Sequence, residues 1–286
     1  MSKKIGIIGG SGLYDIEGLK GLKEKTVTTP FGAPSGSYQI GSLNGVEIVF
    51  LPRHGQGHKM SPSEINYRAN IFGFKKLGVE DIISVSAVGS LKEHLHPMDM
   101  VIPDQFYDRT NHCRKATFFE DGIVAHISFA HPICPILSRL LFETACDLGI
   151  TVHNGGTYLN IEGPAFSTKA ESMVYRSWGM DIIGMTNLTE AKLAREAEIC
   201  YAVLAMVTDY DCWHDTHDQV TLETVIEYLT KNIQNAKKIL KSAVSSLPDT
   251  STCSCKNALS GAIFTSPDKI DKKVRQRLNV IIKKRV

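Results

Sequence analysis

Short β-type runs alternate with helix-like stretches over the first two hundred residues, and this alternation most restricts the fold. KIGIIGG, VEIVFLP, DIISVSAVG, DMVIPD, IVAHISF, TYLNIEG, DIIGMT and YAVLAMVTD read as strands. SPSEINYRANIFGFKKLG, CPILSRLLFETACDLG, STKAESMVYRSWG and NLTEAKLAREAEIC read as helices between them. Strands separated by helices predict an α/β sheet covered on both faces. VTLETVIEYLTKNIQNAKKILKSAV repeats its apolar residues at helical spacing and predicts one long helix. LPDTSTCSCKNAL then breaks the pattern, and a lysine- and arginine-rich end follows. No repeat or linker divides the chain before its C-terminal part, and its length fits one large α/β domain or two small ones.

Bulk charge points to no polyanionic partner. With 32 basic against 30 acidic residues the net charge is +2, which asks for neither nucleic acid nor an anionic membrane. No run approaches the roughly 20 apolar residues of a membrane helix, and MSKKIGIIGG enters a strand without a long apolar leader. The expectation is a cytoplasmic protein. The seven cysteines have an odd count and no framework spacing, as reduced core residues do. Cys253 and Cys255 stand apart as a Cys-Ser-Cys pair. No second pair lies near them to complete a zinc site, so no metal is expected; exposed thiols or a disulfide are the two readings.

Functional residues in open α/β sheets collect where strands end. GIIGGSGLYD, residues 6–15, matches neither a dinucleotide fingerprint nor a P-loop. It is either a bare tight turn or an anion-binding nest of backbone amides with the Ser11 hydroxyl. LPRHGQGHKMSP, residues 51–62, sets Arg53, His54 and His58 among glycines: a solvated basic loop, a metal site, or an oxyanion site using the planar arginine fork. SVSAVGSL holds Ser86 and Ala87, and MTNLTEAKLA places Met185 and Thr186 between a strand and a helix. Each alone could be no more than a helix cap or turn. Convergence of four such ends on one sheet edge would make a phosphate cradle. In NIEGPAFSTKAES, Phe166 is either core or a platform for a heteroaromatic ring, with Ser167 beside it.

CYAVLAMVTDYDCWHD then ends a buried strand in Asp209 and Asp211, two acids that repel each other and resist desolvation. A strand-end turn or a cap would explain them without chemistry. So would a need to keep one proton available, because burial beside a second carboxylate raises the apparent pKa of the pair.

Taken together, GIIGGSGL, TPFGAPS, RHGQGH with INYRANI, SAVGSL, DQFYDRT, IEGPAFSTKAES, the MTN segment and EAEICYAVLAMVTDYDCW resemble the purine nucleoside phosphorylase family. The likeness covers nearly the whole chain and is greatest to the branch acting on 5′-methylthioadenosine. It implies a single-domain α/β fold over residues 1–286, with a central mixed β-sheet partly closed into a barrel and flanked by helices. It also implies a homotrimer, with pairing of trimers left open, and no cofactor beyond inorganic phosphate as co-substrate. The implied reaction is phosphate-dependent cleavage of methylthioadenosine to adenine and 5-methylthioribose 1-phosphate; a broader activity on adenosine or inosine is the alternative.

Carried over by position, Ser11, Arg53, His54, Ser86, the Ala87 backbone and Thr186 would hold phosphate. Met185 would lie along the ribose, and Phe166 and Ser167 would border the purine. Asp209 would act as general acid toward N7, and Asp211 would accept from the 6-amino group. His126, Leu222, Val225 and Ile226 would line the pocket for the 5′ substituent, with WHDTHDQ closing over it. The chain departs from the pattern at Gly184, an asparagine in animal relatives, at Thr189, where proline is usual, and at Met98, where a Pro-Gly-Asp turn is common.

Overall fold

The computed structural model describes residues 3–214 and 222–286, without the side chains of Ser11, Tyr14 and residues 222–225. In chain order, β1 (Lys4–Gly9), β2 (Lys20–Lys25), β3 (Tyr38–Leu43) and β4 (Val46–Pro52) precede α1 (Tyr67–Lys76). Then come β5 (Asp81–Ser90), β6 (Met100–Ile102), β7 (Gln105–Arg109), α2 (Pro135–Asp147), β8 (Val152–Asn154) and β9 (Thr157–Ile161). The chain continues through α3 (Lys169–Ser177), β10 (Ile182–Gly184), α4 (Asn187–Glu196), β11 (Cys200–Asp209), α5 (Leu222–Ser245) and α6 (Lys272–Ile282).

The strands form one mixed sheet that branches at β5. The first half of β5 pairs in parallel with β1, Ile5 opposite Asp81 through Ile8 opposite Ser84. Its last residues pair antiparallel with β10, Ile183 opposite Gly89. Along its other edge β11 runs parallel from Cys200 opposite Asp81 to Asp209 opposite Gly89. Outward from β1 lie β4, β3 and β2; outward from β10 lie β9 and β7; beyond β11 lie β6 and β8. Among the described residues these pairings form no closed ring.

Strands covered on both faces need continuous apolar runs rather than alternation, and β5 and β11 show this: every residue but Ala87 in one and Asp209 in the other is buried. Helix starts follow local capping chemistry. The Asn66 side chain accepts from the Ala69 amide at the start of α1, and Thr168 with Glu171 closes a reciprocal capping box on α3. A smaller apolar cluster, including Leu91, Leu159, Ile183 and Trp213, packs beside the end of β11.

Two expectations change. IVAHISF is not a strand: Ile123 is buried and Ala125, Ile127 and Phe129 pack against the core, but among the described residues the segment makes only an isolated bridge from Ala125 to Ile263. Its backbone groups bond the C-terminal segment instead, His126 N–H to the Ala262 carbonyl (2.9 Å) and Phe264 N–H to that of Val124 (2.8 Å). Cys253 and Cys255 are not exposed thiols; both are buried beside Cys134 and Cys200.

Of the three departures, Gly184 has a local cause. Gly184 lies against the Tyr158 hydroxyl, where an added Cβ would overlap it. Tyr158 is fully buried and donates to Asn187 Oδ1 at 2.9 Å, so it has nowhere to retreat. Met98 takes φ +83°, the region glycine favours, while its N–H bonds the Val207 carbonyl. Thr189 is buried in α4, and nothing in its contacts explains the absence of proline there. Gly184→Ala should therefore destabilise the fold by about 1–3 kcal/mol through overpacking. Denaturant unfolding should show a smaller cost for the same change in a Tyr158→Phe background, where the obstructing oxygen is gone.

Candidate active site

Register brings the predicted strand ends together. Gly9 closes β1 opposite Pro52 of β4, and Ile8 lies opposite Ser84 of β5, so the residues after β1 and β4 emerge beside the middle of β5. The Arg53 amide donates to the Gly9 carbonyl at 3.0 Å and ties two of these ends directly. Thr186 and Asn187 open α4 after β10, and Asn187 Nδ2 donates to Ser84 Oγ at 2.9 Å, joining a third end. Ser86 and Thr186 are both buried, at 8% and 4% exposure. The Ser11 backbone follows β1; its side chain lies outside the described residues.

Arg53 is placed differently from a freely exposed phosphate ligand. It is 4% exposed and already engaged: Nε to Glu190 Oε1 at 2.6 Å, Nη2 to Ser84 Oγ at 2.5 Å and to Glu190 Oε2 at 3.3 Å, and Nη1 to the Val85 carbonyl at 3.0 Å. A guanidinium has five N–H donors, so little of the fork remains for a ligand. Glu190 also accepts from Ser84 Oγ (2.7 Å) and the Tyr201 hydroxyl (2.8 Å). Asn187 joins Tyr158, Tyr201 and Ser84 to the same network. Burial raises both phenols, that of Tyr158 to about 12, so they remain neutral donors.

His54 is held neutral. Burial, then the neighbouring Arg53 charge, lowers its pKa to about 4. Its Nδ1 is 2.8 Å from the Met60 carbonyl, which can only accept, so Nδ1 carries the proton and Nε2 is left as an acceptor. Its ring stacks on His58 at 4.1 Å between centroids.

The acid pair lies further along β5. Asp209 ends β11 after an irregularity in register and sits opposite Gly89, where an added Cβ would come within 2.8 Å of Asp209 Oδ1. Asp209 accepts from Thr208 Oγ1 (2.7 Å) and the Asp211 amide (2.8 Å). Its pKa is nevertheless raised to about 6, chiefly by desolvation, with the Asp211 charge a minor contributor. Desolvation also raises Asp211, which is 8% exposed, against the nearby Ser172 and Ser167 hydroxyls. Asp211 adopts φ +51°, which aspartate tolerates better than most residues. Cys212 Sγ donates to the Ser167 carbonyl at 3.2 Å and fastens the Phe166 loop to the acid pair. Phe166 is half exposed, as a platform for a ring must be. The Ser167 hydroxyl is buried without a hydrogen-bond partner among the described residues. From Ser86 to Gly89 along β5 is about 10 Å, roughly the span from an attacking phosphate to the far edge of a purine.

Met185 is partly buried, and its carbonyl accepts from Asn160 Nδ2 (3.2 Å) and from Arg114. His126 is exposed and pairs its ring with Phe264 at 6.1 Å; no described contact joins it to the acids. Ile226 is 52% exposed on α5. The side chains of Leu222 and Val225, and most of WHDTHDQ, lie outside the described residues.

Sequence reasoning missed Glu190, Asn187, Ser84, Tyr158 and Tyr201, which surround Arg53. It also missed Arg114, which reaches the Glu162 side chain at 2.8 Å. Glu190 reads as an ordinary first-turn acid that favours the helix dipole, and nothing local reveals its buried partner. The one available signal was Asn187 and Glu190 at i and i+3 on a helix following a strand end.

Buried polar residues where several strands end, and an acid pair whose pKa values desolvation raises, thus lie along one strand of a mixed α/β sheet. The chain belongs to the phosphorylase superfamily, whose model matches residues 4–245. It is 55% identical to an S-methyl-5′-thioadenosine phosphorylase of Geobacter sulfurreducens, with 99% of both chains covered. It is 54% identical to one of Koribacter versatilis, covering 99% of this chain and 97% of the relative. Among solved structures, a methylthioadenosine phosphorylase from an Antarctic soil metagenomic library superposes with a TM-score of 0.93 at 48% identity, covering 98% and 99%. The Schistosoma mansoni methylthioadenosine phosphorylase in complex with adenine superposes at 0.83 with 34% identity, covering 99% and 98%.

The network around Arg53 makes a stability prediction. Glu190→Gln leaves a buried guanidinium without its counter-charge and should cost about 3–5 kcal/mol in urea unfolding.

Proposed function

We propose that this chain catalyses phosphate-dependent cleavage of 5′-methylthioadenosine, giving adenine and 5-methylthioribose 1-phosphate. Asp209 carries the reading: a carboxyl at the end of a buried strand whose pKa, about 6, lies near neutrality. The relatives' names and the adenine complex of the Schistosoma mansoni enzyme support the substrate.

In this reaction phosphate attacks C1′ as the bond to purine N9 breaks. Positive charge grows on the sugar and electron density moves into the base. Ser11, Ser86, Thr186, the Ala87 backbone and His54 position the anion, and its charge stabilises the sugar cation. His54, protonated on Nδ1, accepts the remaining phosphate proton at Nε2. Arg53 acts mainly by orienting Ser84 and α4 through Glu190, and its positive charge contributes to the field. Protonated Asp209 donates to N7 so that the purine leaves neutral. Asp211 accepts from the 6-amino group, which disfavours a 6-oxopurine, whose oxygen is itself an acceptor. Phosphate is the nucleophile and Asp209 the acid, so the steps drawn use no metal or organic cofactor.

The 5′ wall is proposed to combine Leu222, Val225 and Ile226 with His126 of a neighbouring subunit. The exposure of Ile226 and His126 in the single chain fits a pocket completed in a homotrimer. Cytoplasmic location belongs to the same proposal; no helix among the described residues is long and apolar enough to cross a membrane.

Cleavage should require phosphate and release the sugar 1-phosphate, with methylthioadenosine preferred over inosine in kcat/KM. Equal rates in phosphate-free buffer, with free sugar as product, would reject this. Asp209→Asn should lower kcat by about 10²–10⁴-fold with little change in KM. Linkage gives an independent check. The folded pKa of Asp209, about 6, exceeds its ordinary 3.8, so native protein holds this proton longer than unfolded chain. Stability from this group is full below the ordinary value and is lost as pH rises through about 6. Relative to wild type, Asp209→Asn should therefore gain about 2–3 kcal/mol in unfolding free energy between acid and neutral pH. Parallel unfolding curves at both values would place the Asp209 carboxyl in water.

A further inference from the structure

Four cysteines from three distant parts of the chain meet in the core. Cys134 caps α2, Cys200 begins β11, and Cys253 and Cys255 flank a one-residue step in the C-terminal segment. All four are buried, and their Sγ atoms lie within 4.8 Å of one another. Cys134 and Cys253 are 3.7 Å apart. A tetrahedral zinc with bonds of about 2.3 Å holds its sulfurs about 3.8 Å apart, which this spacing already approaches. A disulfide needs about 2.05 Å, so every pair would have to close considerably.

We propose that Cys134, Cys200, Cys253 and Cys255 form a tetrathiolate site for a structural divalent cation, zinc by preference. Binding converts four thiols and Zn²⁺ into one tetrathiolate complex of charge −2 with release of four protons, and no redox partner is needed. The surroundings suit that charge. Cys134 sits at the N-cap of α2, where the helix dipole is positive. Four thiolates with no open position match a structural rather than a catalytic centre.

The site lies far from the reaction. Cys200 and Asp209 are the two ends of β11, about 30 Å apart along the strand. Its effect is on the C-terminal segment, which packs Leu259 into the core and reaches this end of the sheet through polar contacts as well. Thr250 Oγ1 donates to Asp81 Oδ1 at 2.7 Å, and the Leu259 amide donates to Glu198 Oε1 at 3.0 Å. A metal bridging Cys134, Cys200 and the Cys253–Cys255 step would clamp this segment to α2 and β11 together.

The full chain, purified without added metal or chelator, is tested by elemental analysis and thiol titration in denaturant. The expected result is about one zinc per chain, with Co²⁺ reconstitution giving thiolate-to-metal charge transfer and tetrahedral d–d bands. Cys255→Ser and Cys134→Ser should each abolish stoichiometric zinc and lower the melting temperature. Cys146→Ser, at an exposed position, should retain both. Wild-type protein without metal would overturn the proposal, whether it titrates as free thiols or shows four fewer than seven because two disulfides have formed. That wild-type measurement stands even where a variant fails to fold.

Discussion

The parallel register between β5 and β11 governs the molecule. Nine of the ten residues of β11 pair with β5, and β5 hands its other edge from β1 to β10 partway. That handover places residues after β1, β4 and β10 beside Ser84–Ala87, and the same strand continues to Gly89 beneath Asp209. Both halves of the site are therefore referred to one strand. A one-residue slip of β11 would turn Asp209 to the opposite face and separate the acid from the proposed anion site. Gly89 is part of the constraint, since a side chain there would strike the carboxylate.

Charge is used at two levels of burial. Arg53 and Glu190 lie almost fully buried, with hydroxyls and carbonyls meeting most of their hydrogen-bonding capacity. A buried pair of this kind gives little net stability over apolar packing but is expensive to break, so it serves better as a geometric lock. Asp209 is the reverse case. Among the described residues it has two donors and no cation as partners, and desolvation outweighs those donors, leaving a proton held near neutrality. The mutual repulsion inferred from two acids one residue apart is real but secondary. Burial does most of the work, and the Asp211 charge adds least to the upward shift.

The cysteines show how distance along the chain hides a cluster. Cys253 and Cys255 look like an isolated pair because their partners are 119 residues away at Cys134 and more than fifty away at Cys200. The C-terminal segment returns across the beginning of the sheet, and only that return brings the four sulfurs together.

The sequence by itself determined the α/β alternation, the long α5, the strand ends and the residue types at them, because apolar periodicity and turn chemistry are local. It also carried the resemblance from which the family, the acid pair and the phosphate-side residues were read. It left IVAHISF looking like a strand, since an alternating run does not say whether a sheet edge is within reach. It could not find Glu190, Asn187 or Tyr158, which look like an ordinary helix acid, cap residue and strand aromatic. Nor could it explain Gly184, whose small size matters only against Tyr158. The tertiary structure decided these, because burial, counter-charge and steric contact come from neighbours that the chain meets only after the sheet has assembled.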